Sequence, residues 1–115
     1  MSRAPTTSDV FNAIAEPRRR EIIALLSDGR TRSVNELVAA MDLAQPAVSK
    51  HLSVLRSVGV VSVQKAGKSR LYALNGAQLK PVHDWVKPYE RYWANQLARI
   101  KERAERAAQA RAEKN

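Results

Sequence analysis

Cysteine is absent from the chain, which excludes disulfides, thiolate metal sites and thiol redox switches together. Long apolar runs are absent too. Nowhere do about 18 consecutive apolar residues occur, the length a membrane-spanning helix needs. MSRAPTTSDV at the start lacks the apolar stretch of a secretory signal. The expectation is a soluble, cytoplasmic protein with no membrane partner. Acids are in short supply, 11 Asp+Glu against 20 Lys+Arg, for a formal net charge of +9. The excess is spread, with 11 cations against 6 acids in residues 1–75 and 9 against 5 in residues 76–115. Such a balance favours a polyanionic partner, although nucleic acid, an anionic membrane and an acidic protein all fit it. Only six aromatics occur, and four of them, Trp85, Tyr89, Tyr92 and Trp93, are clustered. A length of 115 residues suggests one domain, small enough that self-association would help its stability.

What is present is organised around residues 33–59, SVNELVAAMDLAQPAVSKHLSVLRSVG. Val34, Leu37, Val38 and Met41 recur at helical spacing, and Ser33 with Glu36 makes an S-x-x-E capping box. Val48, Leu52 and Leu55 form a second apolar stripe, closed by Gly59 where a helix C-terminal glycine is expected. At about 100° per residue, Pro46, Lys50, Ser53 and Ser57 point away from that stripe, with Gln45 and Ser49 on the flank. No carboxylate falls between Gln45 and Gly59. A solvated helix face ordinarily mixes Glu with Lys, whereas a face that approaches polyphosphate excludes acids. The pattern predicts a helix-turn-helix whose second helix, residues 45–57, enters a DNA major groove. Two core helices with polar outer faces are the plainer reading of this stretch alone.

Residues 1–7 are polar and contain Pro5, which predicts a disordered leader. A first helix is expected from Ser8 to Ala15, with Val10, Phe11 and Ile14 apolar. A second follows from Pro17, suited to the first helical position, to about Ser27. Arg18, Arg19 and Arg20 fall in its first turn, where the helix dipole disfavours cations. Phosphate contact, an ion pair to a partner protomer and a solvated cluster each account for them. Arg30 and Arg32 lie beside Ser33 at the start of the next helix, either as a phosphate clamp or as solvated loop cations.

After Gly59 the period changes from helical to strand-like. Residues 60–65 and 69–74 form two strand-like runs joined by Ala66-Gly67-Lys68, a β-hairpin pattern. Its tip, residues 65–70, carries Lys65, Lys68 and Arg70 and no acid. A helix-turn-helix followed at once by such a hairpin is a winged helix, far more specific than either part. From Pro81 a long final helix is expected, with Val82, Trp85, Val86, Tyr89, Tyr92, Trp93, Leu97 and Ile100 on one broad stripe. Pro88 should break or kink it near Lys87. A second copy of the chain is the economical cover for so much aromatic surface. The predicted dimer interface is Val10, Phe11, Ile14, Trp85, Tyr89, Tyr92, Trp93, Leu97 and Ile100. Residues 101–115 read as a charged helical tail, and residues 8–100 as the DNA-binding and dimerisation domain.

Residues 11–20, FNAIAEPRRR, and 45–55, QPAVSKHLSVL, together with the basic hairpin, are similar to the ArsR family of bacterial winged-helix repressors. The similarity covers roughly residues 8–100 and is most specific at QPAVSKHL. It implies a mainly α fold with a small β-hairpin, five helices plus a wing, in which the first and last helices form a homodimer. It further implies an operator with dyad symmetry, often in the protein's own promoter, and release by a signal. Three departures stand out. Ala44 replaces the usual Ser or Thr before Gln-Pro, removing an N-cap worth about 0.5–2 kcal/mol. Glu16-Pro17-Arg18-Arg19-Arg20 replaces the usual Asp-Pro-Thr-Arg-Arg. The cysteine pairs of arsenite and cadmium sensors and the ligand sets of zinc sensors are missing. The histidines are His51, in the recognition helix, and His83, beside Asp84, which reads as an exposed pair. No metal or other cofactor is expected. The aromatic ending resembles a metal-independent subgroup whose genes often neighbour START-like lipid-cavity proteins.

The function these features predict is a dimeric transcriptional repressor on double-stranded DNA. Gln45 and Ser49 would read base edges, Gln45 being suited to adenine, and Lys50 would reach guanine or phosphate. Pro46 and Ser53 complete the facing surface. Arg30, Arg32, Ser33 and His51 would position the backbone, and Lys65, Lys68 and Arg70 would bring the wing to phosphate or the minor groove. An unknown small-molecule or protein effector is compatible with the aromatic stripe. A winged helix turned protein-interaction module and a nonspecific nucleoid-associated DNA binder are the competing classes. No nucleophile–base, paired-carboxylate or phosphate-loop constellation occurs at usable spacing, so an enzyme is not expected.

Overall fold

The computed structural model describes residues 7–114 and divides the chain into two compact units, Met1–Val82 and His83–Asn115. Residues 1–6, most of the expected disordered leader, lie outside the described residues, and Thr7 already opens a helix. In the first unit, α1 (Thr7–Ile14) and α2 (Pro17–Leu25) lead to a two-residue strand, β1 (Arg32–Ser33). The motif helices α3 (Val34–Met41) and α4 (Gln45–Ser57) follow, then strands β2 (Val61–Ala66) and β3 (Ser69–Leu74). A 3-10 turn over Gly76–Leu79 leads into α5 (Lys80–Val86).

The two motif helices start and stop for identifiable reasons. At α3 the Ser33 hydroxyl accepts from the Glu36 N–H at 3.2 Å, and the Glu36 carboxylate accepts from the Ser33 N–H at 3.0 Å. The capping box is complete. Asp42, with φ of +49°, then turns the chain in the left-handed region, which aspartate tolerates better than most side chains. Ala44 supplies no side-chain cap to α4, so the first turn there relies on Pro46 and the Ala44 carbonyl. The far end of α4 closes as a Schellman motif. Val60 N–H reaches Leu55 C=O and Gly59 N–H reaches Arg56 C=O, both at 3.0 Å, with Gly59 at φ +80°.

The core of this unit is built from those faces. Ile22, Leu26, Leu37, Val48, Leu55 and Val60 are wholly buried, with Leu52, Val61, Met41 and Tyr72 beside them. Among the described residues no polar or charged side chain is buried. At about 25 cal/mol per Å² of apolar area removed from water, this shared interior is what fixes α3 and α4 against each other.

The arginine triplet has a cause the residue pattern did not reveal. Arg19 donates to the Ala13 carbonyl, and Arg20 donates to those of Ile14 and Ala15 at 2.9 and 3.0 Å. Arg18 pairs with Glu21 at 3.0 Å and reaches the Met41 carbonyl at 3.4 Å. These are the terminal carbonyls of α1 and α3, where cations are favoured. The unfavourable placement on α2 is offset by favourable placement on its neighbours. Glu16 also caps α2 after all, accepting from Arg18 N–H at 3.1 Å.

The sheet has one strand more than a simple hairpin. Its order is β1-β3-β2, antiparallel throughout, with Arg32 opposite Tyr72 and Ser33 opposite Leu71. On the other side Val61 pairs with Leu74 and Lys65 with Arg70, out to Ala66 and Ser69. Gly67, at φ +63°, opens the connecting turn, as tight hairpins require.

The final helix breaks at Lys87, where Pro88 was expected to break or kink it. Instead of one helix there are two, α5 and α6 (Ala94–Lys114), separated by a 3-10 segment over Lys87–Tyr92. Pro88 has no N–H for an α-helical bond and its ring clashes with the preceding turn, so the helix breaks rather than bends. Among the described residues there are therefore six α-helices, where the family pattern implied five. In the second unit α6 is exposed along its length, and no helix among the described residues is long and apolar enough to cross a membrane.

Candidate nucleic-acid interface

Helix α4 places its predicted contact residues outward. Gln45, Pro46, Lys50 and Ser53 are exposed and Ser49 is half-buried, because Val48, Leu52 and Leu55 anchor the opposite stripe. One flank opens onto the wing. Gln45, Ser49, Ser53 and Arg56 line a cleft of about 340 Å³ whose other wall is Arg70 and Tyr72. A second cleft of about 290 Å³ joins Ser33 and Asn35 to Gln45, Lys68, Ser69 and Arg70. Gln45 and Arg70 belong to both, so the start of α4 and the wing share one groove. The fold thus brings together Ser33, Gln45, Ser49, Ser53, Lys68 and Arg70 from three separate stretches of sequence.

Arg56, Asn35 and Ser69 also line this groove and were not picked out from the sequence. Arg56 could have been found. It lies seven residues after Ser49 and 11 after Gln45, whole turns of the same helix flank. Ser69 and Asn35 depend on the approach of the wing, which no local pattern encodes.

The wing itself concentrates charge. Lys65, Lys68 and Arg70 are exposed, and Lys65 stands directly across the strand pair from Arg70. Like charges so placed are destabilising, and an anionic ligand would relieve that repulsion.

Other predicted cations are placed differently. Arg32 is engaged by Asp28, its two terminal nitrogens 3.2 and 3.0 Å from the two carboxylate oxygens. The hydrogen bond to Arg32 holds the Asp28 carboxyl below its usual range, and Asp28 raises Arg32 in turn. The Arg30 side chain is exposed while its backbone N–H donates to the same Asp28 at 2.9 Å. The Arg32 fork is thus occupied within the chain rather than free as a phosphate clamp. His51 faces neither cleft. It is half-buried on the flank of α4 away from the wing, with Nδ1 3.4 Å from Arg19 Nη1.

The residues expected at a dimer interface divide. Val10 is 3% exposed and belongs to the core of the first unit, so it offers no surface; Phe11, Ile14 and Trp93 are half-buried. Trp85, Tyr89, Tyr92, Leu97 and Ile100 are exposed, Tyr92 by as much as 70%. Trp85 meets Tyr89 edge-on at 6.4 Å between ring centroids, and Arg91 lies 5.0 Å over the Tyr92 ring. Among the described residues no cluster of three or more His, Cys, Asp or Glu could hold a metal ion.

Residues 16–63 match the family model described as Bacterial regulatory protein, arsR family. The chain is 30% identical over 79 residues to Transcriptional repressor SdpR of Bacillus subtilis, covering 69% of this chain and 87% of that one. It is 39% identical over 66 residues to HTH-type transcriptional repressor SmtB of Mycobacterium tuberculosis, covering 57% of this chain but only 48% of that repressor. Among solved structures, the ArsR-like transcriptional regulator from Rhodococcus sp. RHA1 is 30% identical with a TM-score of 0.64, covering 85% of this chain and 89% of that one. The capped α3, the acid-free α4 and the cationic hairpin are the elements of that fold, and the chain belongs to the ArsR family of bacterial transcriptional regulators, with a DNA-binding helix-turn-helix.

Proposed function

We propose that the protein is a homodimeric repressor acting in the cytoplasm on an operator with dyad symmetry, read by α4 in the major groove. Gln45 and Ser49 meet base edges, with Arg56 joining them from the same flank, and Lys50 reaches base or phosphate from the outward face. The wing, through Lys68 and Arg70, lies on the adjacent backbone or minor groove. A second copy, bound through the exposed aromatics of residues 85–100, would supply a second α4, and an operator read by both in the major groove would carry half-sites about 34–36 Å apart, one helical turn of DNA. The observation that carries this reading is the shared groove, where an α4 flank without a single acid faces two wing cations. The repressor names of SdpR and SmtB support repression as the outcome.

Selection of bound duplexes from a random pool, followed by footprinting, tests it. A palindromic consensus with half-sites one turn apart is expected. Equal affinity for all duplexes would instead favour nonspecific binding. The exposed Trp85 and Tyr92 favour one second reading, a module that binds another protein; it would gain if partner binding persisted with no duplex preference.

A further inference from the structure

Arg19, from the arginine triplet, touches the recognition helix. It is rooted on α2, its Nε donates to the Ala13 carbonyl at the end of α1, and its Nη1 lies 3.4 Å from Nδ1 of His51 on α4. One planar group therefore spans three helices. Arginine has five N–H donors, no acceptor, and does not lose its proton in proteins. The contact is a hydrogen bond only if Nδ1 of His51 carries a bare lone pair. The proton of the neutral ring then sits on Nε2, at the other side of the imidazole.

We propose that Arg19 is a positioning residue for DNA binding: it locks His51 as the neutral tautomer so that Nε2–H donates to a backbone phosphate beside α4. This rests on the DNA-binding reading above and assigns His51 a specific form within it. Arg18 and Arg20 cannot substitute, since Arg18 is held by Glu21 and Met41 and Arg20 by the last carbonyls of α1. A neutral donor also differs from a cation in a measurable way. Phosphate contacts by Lys or Arg release condensed counterions, each contributing about 0.9 to the slope of log affinity against log salt. A neutral imidazole adds affinity and direction but nothing to that slope.

The experiment is a double-mutant cycle in binding to the selected operator, over a salt series, with His51→Ala, Arg19→Met and the double variant. Each single variant is expected to lose about tenfold in affinity, as for one hydrogen bond to a charged group. The double variant should lose little more than either alone, with all salt slopes unchanged. Independent losses that multiply, or a slope falling by about 0.9 for His51→Ala, would overturn the proposal. Arg19 also caps α1, so folding of each variant is checked by thermal unfolding. A second measurement needs no variant: nitrogen NMR of the wild-type imidazole should show the proton on Nε2. A proton on Nδ1 sinks the idea by itself. Wild-type protein that prefers no duplex would instead refute the DNA-binding reading, a separate failure.

Discussion

Gln45 on α4 and Lys68 on the wing line the same cleft, yet they should respond to different features of a duplex. Gln45→Ala is expected to relax base preference at one position per half-site, costing about 1–3 kcal/mol of discrimination, with the salt slope intact. Lys68→Ala should weaken all duplexes alike and reduce the slope by about 0.9. Fluorescence anisotropy with matched and mismatched operators over a salt series separates the two. Glu36 offers a test at acid pH. The Ser33 backbone N–H, and then its hydroxyl, hold the Glu36 carboxyl below the usual carboxylate range. A carboxyl lowered by folding stabilises the fold above its unfolded-state value, and that contribution disappears as pH falls through the lowered one. Glu36→Gln should therefore be less stable than wild type at neutral pH, with the difference shrinking below about pH 4, as urea unfolding at a series of pH values will show. The outward residues of α4 were legible because helical period alone assigns them a face. The partners of Arg18, Arg19 and Arg20 were not, since their acceptors are backbone carbonyls at the ends of other helices.

Helix ends show the same division between local and non-local information. The Ser33–Glu36 box and the Gly59 stop are written in adjacent residues, and the structure reproduces both. Strand β1 is two residues long and exists because Tyr72 and Leu71 pair with it. Ala44 leaves α4 without a side-chain cap; Ala44→Ser should add about 1 kcal/mol of stability and raise the melting temperature by several degrees, without altering operator choice. Pro88 was legible as a breaker but not in the extent of its effect, because an aromatic stripe at helical spacing runs straight across it. Restoring the N–H with Pro88→Ala should let α-helix replace the 3-10 segment over Lys87–Tyr92. Far-UV circular dichroism would register the gain as about six additional helical residues.

For the whole molecule, association and DNA binding are expected to be linked. Exposed aromatics at Trp85, Tyr89 and Tyr92 continue into Leu97 and Ile100 on α6, more apolar surface than scattered single exposures would explain. Sedimentation equilibrium of the wild type should give a dimer, and Trp85→Ala with Tyr92→Ala should shift it to monomer. The same pair should weaken binding to a full operator far more than to a half-site, because only the dimer gains from two sites held at fixed spacing. The aromatic stripe was legible in the sequence, but not that Val10, grouped with it, belongs to the core of the protomer. A consequence for reach follows from β3, the middle strand of the sheet. Its pairing with β1 ties the wing to the residue that caps α3, and its pairing with β2 runs out to the tip. The wing is thus a ruler rather than a hinge. At about 3.3 Å per residue, two more pairs in that ladder would set its cations down about 7 Å farther along a bound duplex, a change of address made by strand length while every contact on α4 stayed the same.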